Sequence, residues 1–172
     1  MKITIILSAI IGLLSFNVYA QSRTCSEKRA NLPAIRGLKL DMAKSAVTKI
    51  YPSMQFVDKQ GMQYGTVGKA AMKDAELQKG VETITVVFVK DKLASALVTY
   101  DENVSWVSSV EFTEYVGESL QLPVLAWKNG GGTDRKIVCS DFVINGGLNK
   151  NNRAVLLLIK PESEFKLPSG KN

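Results

Sequence analysis

The sequence predicts an α+β fold, a largely antiparallel sheet with two or three helices packed on one face. Three observations carry that expectation. Residues 82–100 hold two β-branched, alternating runs separated by a charged turn. Residues 109–120 place Phe112, Val116 and Leu120 at i, i+4 and i+8 behind a helix-capping sequence. The order helix, strands, hairpin, helix, strands then fills the rest of the chain. The two halves, 34–101 and 106–160, each run helix then strands, which hints at a duplicated module.

The chain opens on a segment that is not part of the fold. Lys2 supplies a positive start, Ile3 to Phe16 is an almost unbroken apolar run, and Val18-Tyr19-Ala20 is a small-x-small cleavage site. Residues 1–20 therefore read as a secretory signal peptide, with the mature chain beginning at Gln21. An apolar run of about 14 is too short for a spanning helix, which needs about 20 residues. No second run of that length follows, so stable membrane insertion is not expected. The remaining chain, about 150 residues, fits one α+β domain over 21–160. Residues 161–172 are polar with two prolines and read as a flexible C-terminal tail.

Residues 21–34 form a polar arm ending in Leu32-Pro33. Ile35 to Leu40 is a short strand or extended lead-in. Residues 42–51 read as a helix through Val47, Ile50 and Tyr51, with Asp41 as N-cap and Pro52 as stop. Within 53–80, Met62 to Val67 reads as a strand and Ala70 to Leu77 as a short helix ended by Lys79-Gly80. In the hairpin, Ile84, Val86 and Phe88 point one way and Thr83, Thr85, Val87 and Val89 the other. The turn is placed at Asp91-Lys92. Ser108 and Glu111 form the capping box of the main helix, which Leu122-Pro123 ends. Strands follow at 136–139, 141–144 and 153–160. The last, Ala154 to Ile159, is apolar throughout and reads as a central strand covered on both faces. Gly130-Gly131-Gly132 and Gly146-Gly147 lead into no helix, so they read as turns rather than as phosphate-binding loops.

Two cysteines, Cys25 and Cys139, remain in the mature chain. In an oxidising compartment the simplest reading is one disulfide. It would tie the arm to a strand 114 positions later. Closing so long a loop is worth about 4–5 kcal/mol in the chain-entropy model. Nothing resembles C-x-x-C.

Histidine is absent. That excludes Ser-His-Asp and Cys-His chemistry in their usual forms, and it removes the commonest zinc ligand. No cofactor motif is present. The net charge is +6, about +5 without Lys2, and the basic residues are scattered. Such a surface attracts anionic partners loosely. No basic strand carries interleaved aromatics, so nucleic-acid binding is not expected.

Ile35-Arg36-Gly37-Leu38-Lys39-Leu40-Asp41-Met42, followed by Val47 and Tyr51-Pro52, resembles a recurring opening of small bacterial envelope proteins. It is similar to the first helix of the beta-lactamase-inhibitor-protein-like fold and of the SmpA/OmlA-type outer-membrane assembly lipoproteins. The resemblance implies helices on one side of an antiparallel sheet, and a role in protein–protein binding. Asp41 stands where that pattern has Gly. No lipobox cysteine sits at the cleavage site, which argues against the lipid anchor of the SmpA/OmlA group.

The function expected from these features is a non-enzymatic periplasmic or secreted binding module. Its partner would be an envelope protein or an anionic ligand. Trp106, Trp127, Lys128 and Arg135 are the candidate partner-binding residues, with Tyr100 and Tyr115 as further aromatic anchors. The alternative is a carboxylate-dependent hydrolase of the glycosidase type, which needs two acids about 5–9 Å apart and no histidine. Glu102, Glu111, Glu114 and Asp141 are its candidates. A Ser-Lys hydrolase finds only Ser45 and Lys49, wrongly spaced within a helix. The polar loops at 132–134 and 149–153 lack the acid series of an EF-hand.

Overall fold

The computed structural model describes residues 24–164. The predicted signal peptide and residues 165–172 of the tail lie outside the described residues. The described chain holds α1 (Lys44–Ile50), β1 (Gln55–Lys59), β2 (Met62–Gly68), α2 (Ala75–Gln78), β3 (Val81–Val89) and β4 (Lys92–Tyr100). It continues with α3 (Ser109–Ser119), β5 (Lys128–Gly131), β6 (Asp134–Val138), β7 (Val143–Leu148) and β8 (Ala154–Ile159). The strands form one antiparallel sheet in the order β1-β2-β3-β4-β8-β7-β6-β5. The fold is α+β, as the alternation and the helix stripe predict.

Each half is a helix followed by a four-strand meander. The two meanders meet at their fourth strands, where Leu97 of β4 lies opposite Leu157 of β8. The halves named from the sequence thus share one topology.

One face of the sheet is the core. Register aligns Ile137, Ile144, Leu158, Ala96, Val86, Gly65 and Phe56 in a single row across seven strands. Val47 of α1 and Phe112 and Val116 of α3 join the same apolar cluster. The alternation in β3 falls as predicted, with Ile84, Val86 and Phe88 buried and Thr83, Thr85 and Val87 half-exposed. β8 corrects one expectation. Ala154, Leu156 and Leu158 are buried, but Val155, Leu157 and Ile159 stay half-exposed on the opposite face. An unbroken apolar run does not distinguish one covered face from two.

Other corrections have local causes. The β3–β4 turn centres on Lys90 and Asp91, with φ of 50° and 58°. That pair of left-handed residues matches the right-handed twist of the strands, and Lys92 already belongs to β4. Asp41 does not cap α1. The helix begins after Ala43 without a side-chain cap, and Asp41 sits at φ 69°. Asp is among the few non-glycine residues that tolerate this left-handed conformation. Within the expected strand or lead-in at 35–40, residues 35–38 form a tight turn. Ile35 and Leu38 exchange two backbone hydrogen bonds of 2.9 Å around Arg36 and Gly37, both at positive φ. The helix expected at 70–77 is divided into a 3-10 turn at Lys69–Ala71 and α2, which Asp74 caps by accepting from the Glu76 and Leu77 N–H groups. Gly146 and Gly147 lie inside β7, not in a turn. A Cβ at Gly146 would fall 2.9 Å from Thr113 Cγ2 of α3. The glycine lets helix and sheet approach closely.

Ser108 Oγ accepts from the Glu111 N–H at 3.2 Å, as the capping box requires. Glu111 reaches back one residue further than expected and accepts from the Val107 N–H at 2.8 Å. A disulfide joins Cys25 to Cys139, with Cα atoms 4.6 Å apart. Arg29 then binds the arm to the end of the sheet. Its Nε lies 2.7 Å from Asp41 Oδ2, and its backbone N–H donates to Asp141 Oδ1 at 2.9 Å. Lys160 also pairs with Asp41. Within the predicted tail a 3-10 turn at Glu162–Glu164 carries Glu164 to Arg29. Among the described residues no helix is long and apolar enough to cross a membrane.

Candidate functional site

The sheet's covered face is not filled evenly. Between α3, the arm at 33–36 and the loop after β4 lies a cleft of about 620 Å³. Its floor is the stripe that the sequence identified on α3, namely Phe112, Val116 and Leu120. Trp106 covers one side. Its ring centroid is 5.4 Å from that of Phe112 and 5.0 Å from that of Tyr115. Tyr100 meets Phe112 edge-on at 5.7 Å. Aromatic pairs at such distances contribute stability beyond the area they bury.

Local backbone chemistry brings the other walls in. The tight turn at Arg36-Gly37 projects the arm over the cleft, and the Tyr51 hydroxyl fixes it by donating to the Arg36 carbonyl at 2.6 Å. Burial pushes the Tyr51 phenol up to about 12. On the far side Gly80, at φ 68°, approaches the 101–104 loop. A Cβ there would meet Val104 Cγ2 at 2.7 Å, and the Asp101 N–H donates to the Gly80 carbonyl at 3.0 Å. Asp101 is itself held by Lys69 at 2.6 Å and by the Asn103 N–H at 3.0 Å, and the Lys69 hydrogen bond holds its carboxyl below the usual range.

The cleft's electrostatics are one-sided. Arg36 and Lys79 are on its lining, and no Asp or Glu is among the described residues that line it. The Arg36 guanidinium lies 5.6 Å from the Tyr100 ring centroid and donates to the Glu76 carbonyl at 3.3 Å. Among the described residues neither Arg36 nor Lys79 has a carboxylate partner within ion-pair distance. Burial raises the Tyr100 phenol's pKa, and Arg36 opposes that rise. Tyr100 is therefore neutral at physiological pH. Trp106 Nε1 is buried without a hydrogen-bond partner among the described residues.

Of the four partner-binding candidates, the structure brings only Trp106 to this cleft. Trp127 is 5% exposed and belongs to the core, where its Nε1 also lacks a partner among the described residues. Lys128 is exposed on the edge strand β5. Arg135 on β6 turns toward the helix face and donates to Thr113 Oγ1 at 3.0 Å. These three do not form a patch with Trp106. Tyr100 and Tyr115 do join it. Arg36, Lys79 and Gly80 were missed as site residues. Their only sequence signals were an Arg-Gly pair beside an apolar turn and a Lys-Gly helix end, which are too common to single out.

The four acids of the hydrolase alternative are dispersed. Glu111 caps α3. Glu114 is exposed on the same helix. Glu102 lies 3.6 Å from Arg153, with its side chain 79% exposed. Asp141 binds the Arg29 backbone. The 149–153 loop is closed by Asn149, whose Oδ1 accepts from the Asn151 and Arg153 N–H groups. Among the described residues no three His, Cys, Asp or Glu side chains gather as a metal site.

Comparison with protein-family models, with curated proteins and with solved structures found no match.

Proposed function

We propose that the chain is a non-enzymatic binding module of the periplasm or the secreted fraction, and that it holds a small, largely apolar molecule in the cleft over α3. The observation that carries this is the cleft itself. Its size lies within the range of small-molecule sites, and aromatic rings and aliphatic side chains line it with a few polar groups. The disulfide fits an oxidising compartment, which agrees with the secretory reading of residues 1–20. A small ligand is favoured over an envelope protein because Trp127 and Arg135 are engaged inside the fold, which leaves no aromatic–basic patch on β5–β6. Each acid that a glycosidase-type reading would use already has a capping, pairing or solvated role.

The test is recovery of the bound molecule. The chain is produced with its own leader in a secreting host and purified without detergent. It is then compared by native mass spectrometry with an Ala34→Trp variant. Ala34 is exposed on the cleft's rim, so the larger ring blocks entry without disturbing the core. One small molecule at near-equimolar ratio, lost from the variant, supports the reading. Equal recovery from both proteins, or a stoichiometric protein partner with the cleft empty, overturns it.

A further inference from the structure

We infer that the cleft's ligand is an amphipathic anion, whose apolar body lies on Phe112, Val116 and Trp106 and whose charged head is held by Arg36 and Lys79. This rests on the reading of the cleft as a small-molecule site and adds the ligand's chemical class.

The charge on the lining is of one sign. The lining carries two cations and, among the described residues, no carboxylate. Of the other partly buried cations, Arg29, Arg153 and Lys160 pair with acids, whereas Lys44 lies over the Phe56 ring and Arg135 donates to Thr113. Arg29 meets Asp41 and Glu164, Lys160 meets Asp41, Arg153 meets Glu82, and Lys69 meets Asp101. Arg36 is half-buried beside the Glu76 carbonyl and the Tyr100 ring and hydroxyl, with no carboxylate within ion-pair distance among the described residues. A guanidinium in that setting keeps donors free for a planar anion, and it binds carboxylate or phosphate in a fork.

The backbone also holds Arg36 in place. Arg36 occupies a left-handed position, φ 51°, that ordinarily favours Asn or Gly. Its carbonyl is fixed by the Tyr51 hydroxyl at 2.6 Å, so its Cα is held at the cleft's edge. The aromatic body of the lining carries no acid that would attract a cation. A neutral ligand would use the apolar floor and leave both charges idle. An amphipathic anion uses both, and its head can be a carboxylate, a sulfonate or a phosphate ester, since all three present oxygen acceptors to the same donors.

The experiment uses three ten-carbon probes below their micellar concentrations: decanoate, 1-decanol and decyltrimethylammonium. Each is titrated calorimetrically into the mature, disulfide-bonded chain. Decanoate is expected to bind about tenfold more tightly than decanol, about 1.4 kcal/mol, with the ammonium weakest. Arg36→Gln and Lys79→Gln should each reduce the preference for decanoate over decanol, and the double variant should abolish it. Lys79 is exposed, so its variant tests the inference even where Arg36→Gln fails to fold. Equal affinity for decanoate and decanol overturns the anionic head while leaving the cleft as an apolar site. A preference for the ammonium overturns it too. Failure of all three probes, with no difference between the wild type and Ala34→Trp, removes the cleft reading and this inference with it. Replacing decanoate by decyl phosphate separates carboxylate from phosphate heads.

Discussion

Arg29 and Glu164 are 135 positions apart and meet through hydrogen bonds of 2.8 and 2.9 Å from one guanidinium nitrogen to both carboxylate oxygens. The contact closes the described chain on itself, with Asp41 and Lys160 completing the group. Arg29→Ala should lower stability by about 1 kcal/mol, since partly exposed pairs contribute little singly and somewhat more in a network. The loss should shrink at high salt. Urea denaturation at low and high ionic strength measures it, and an unchanged midpoint would remove the cluster from the account of stability.

The disulfide acts on the same arm. Cys25→Ser with Cys139→Ser should cost about 4–5 kcal/mol at most by the loop-closure argument. The arm also forms one wall of the cleft, so amide exchange at Ile35 and Leu38 should quicken before global unfolding. Exchange measured with and without reductant checks this. Unchanged protection at both amides would mean that the turn's own hydrogen bonds suffice.

Two glycines give opposite outcomes. Gly146→Ala places a methyl 2.9 Å from Thr113 Cγ2 and 3.4 Å from Phe112 Cε1, between helix and strand. Overpacking of this kind costs about 1–3 kcal/mol. Gly68→Ala meets nothing within 4 Å and has an ordinary extended backbone at φ −89°. It should be neutral within about 0.5 kcal/mol. Similar midpoints for both variants in thermal melts would contradict the close helix–sheet approach.

Asp101 couples stability to acid. Its folded carboxyl is held below the ordinary 3.8, first by the Lys69 hydrogen bond. A depressed folded value means that the stabilisation is fully present above the unfolded value. It is lost as pH falls from there through the folded value. Asp101→Asn should therefore destabilise at neutral pH and lose its difference from the wild type below that window. Parallel denaturant midpoints down to about pH 2 would argue against the coupling.

Tyr51 titrates at the other end of the scale. Its folded value is raised to about 12 by burial, so the stability of the neutral form is complete below the unfolded value of about 10. That stability falls away as pH rises through the folded value. Tyr51→Phe should delete the last phenolate step in an absorbance titration and lessen the stability lost over that alkaline window. A wild-type titration complete by about pH 11 would show that the hydroxyl is not so enclosed.

The fold was legible in residues whose burial repeats with the period of their element. Ile84, Val86 and Phe88 fixed one face of β3, and Phe112, Val116 and Leu120 fixed the buried stripe of α3. The capping group Ser108 and Glu111 set where that helix starts. β1 and β5 were not legible. Only Phe56 of β1 is even half-buried, and Lys128 to Gly131 has the composition of a loop. Both are edge strands, formed by hydrogen bonding to β2 and β6, and such pairing leaves little trace in side-chain pattern. The α+β class, the pairing of Cys25 with Cys139 and the absence of histidine chemistry followed from local pattern and composition. The cleft did not. Arg36, Lys79, Tyr100 and Trp106 stand up to 70 positions apart. Only the left-handed turns at 36–37 and 80, the close approach at Gly80 and the packing of α3 bring them to one place, because burial and backbone sterics act between segments that no sequence window contains.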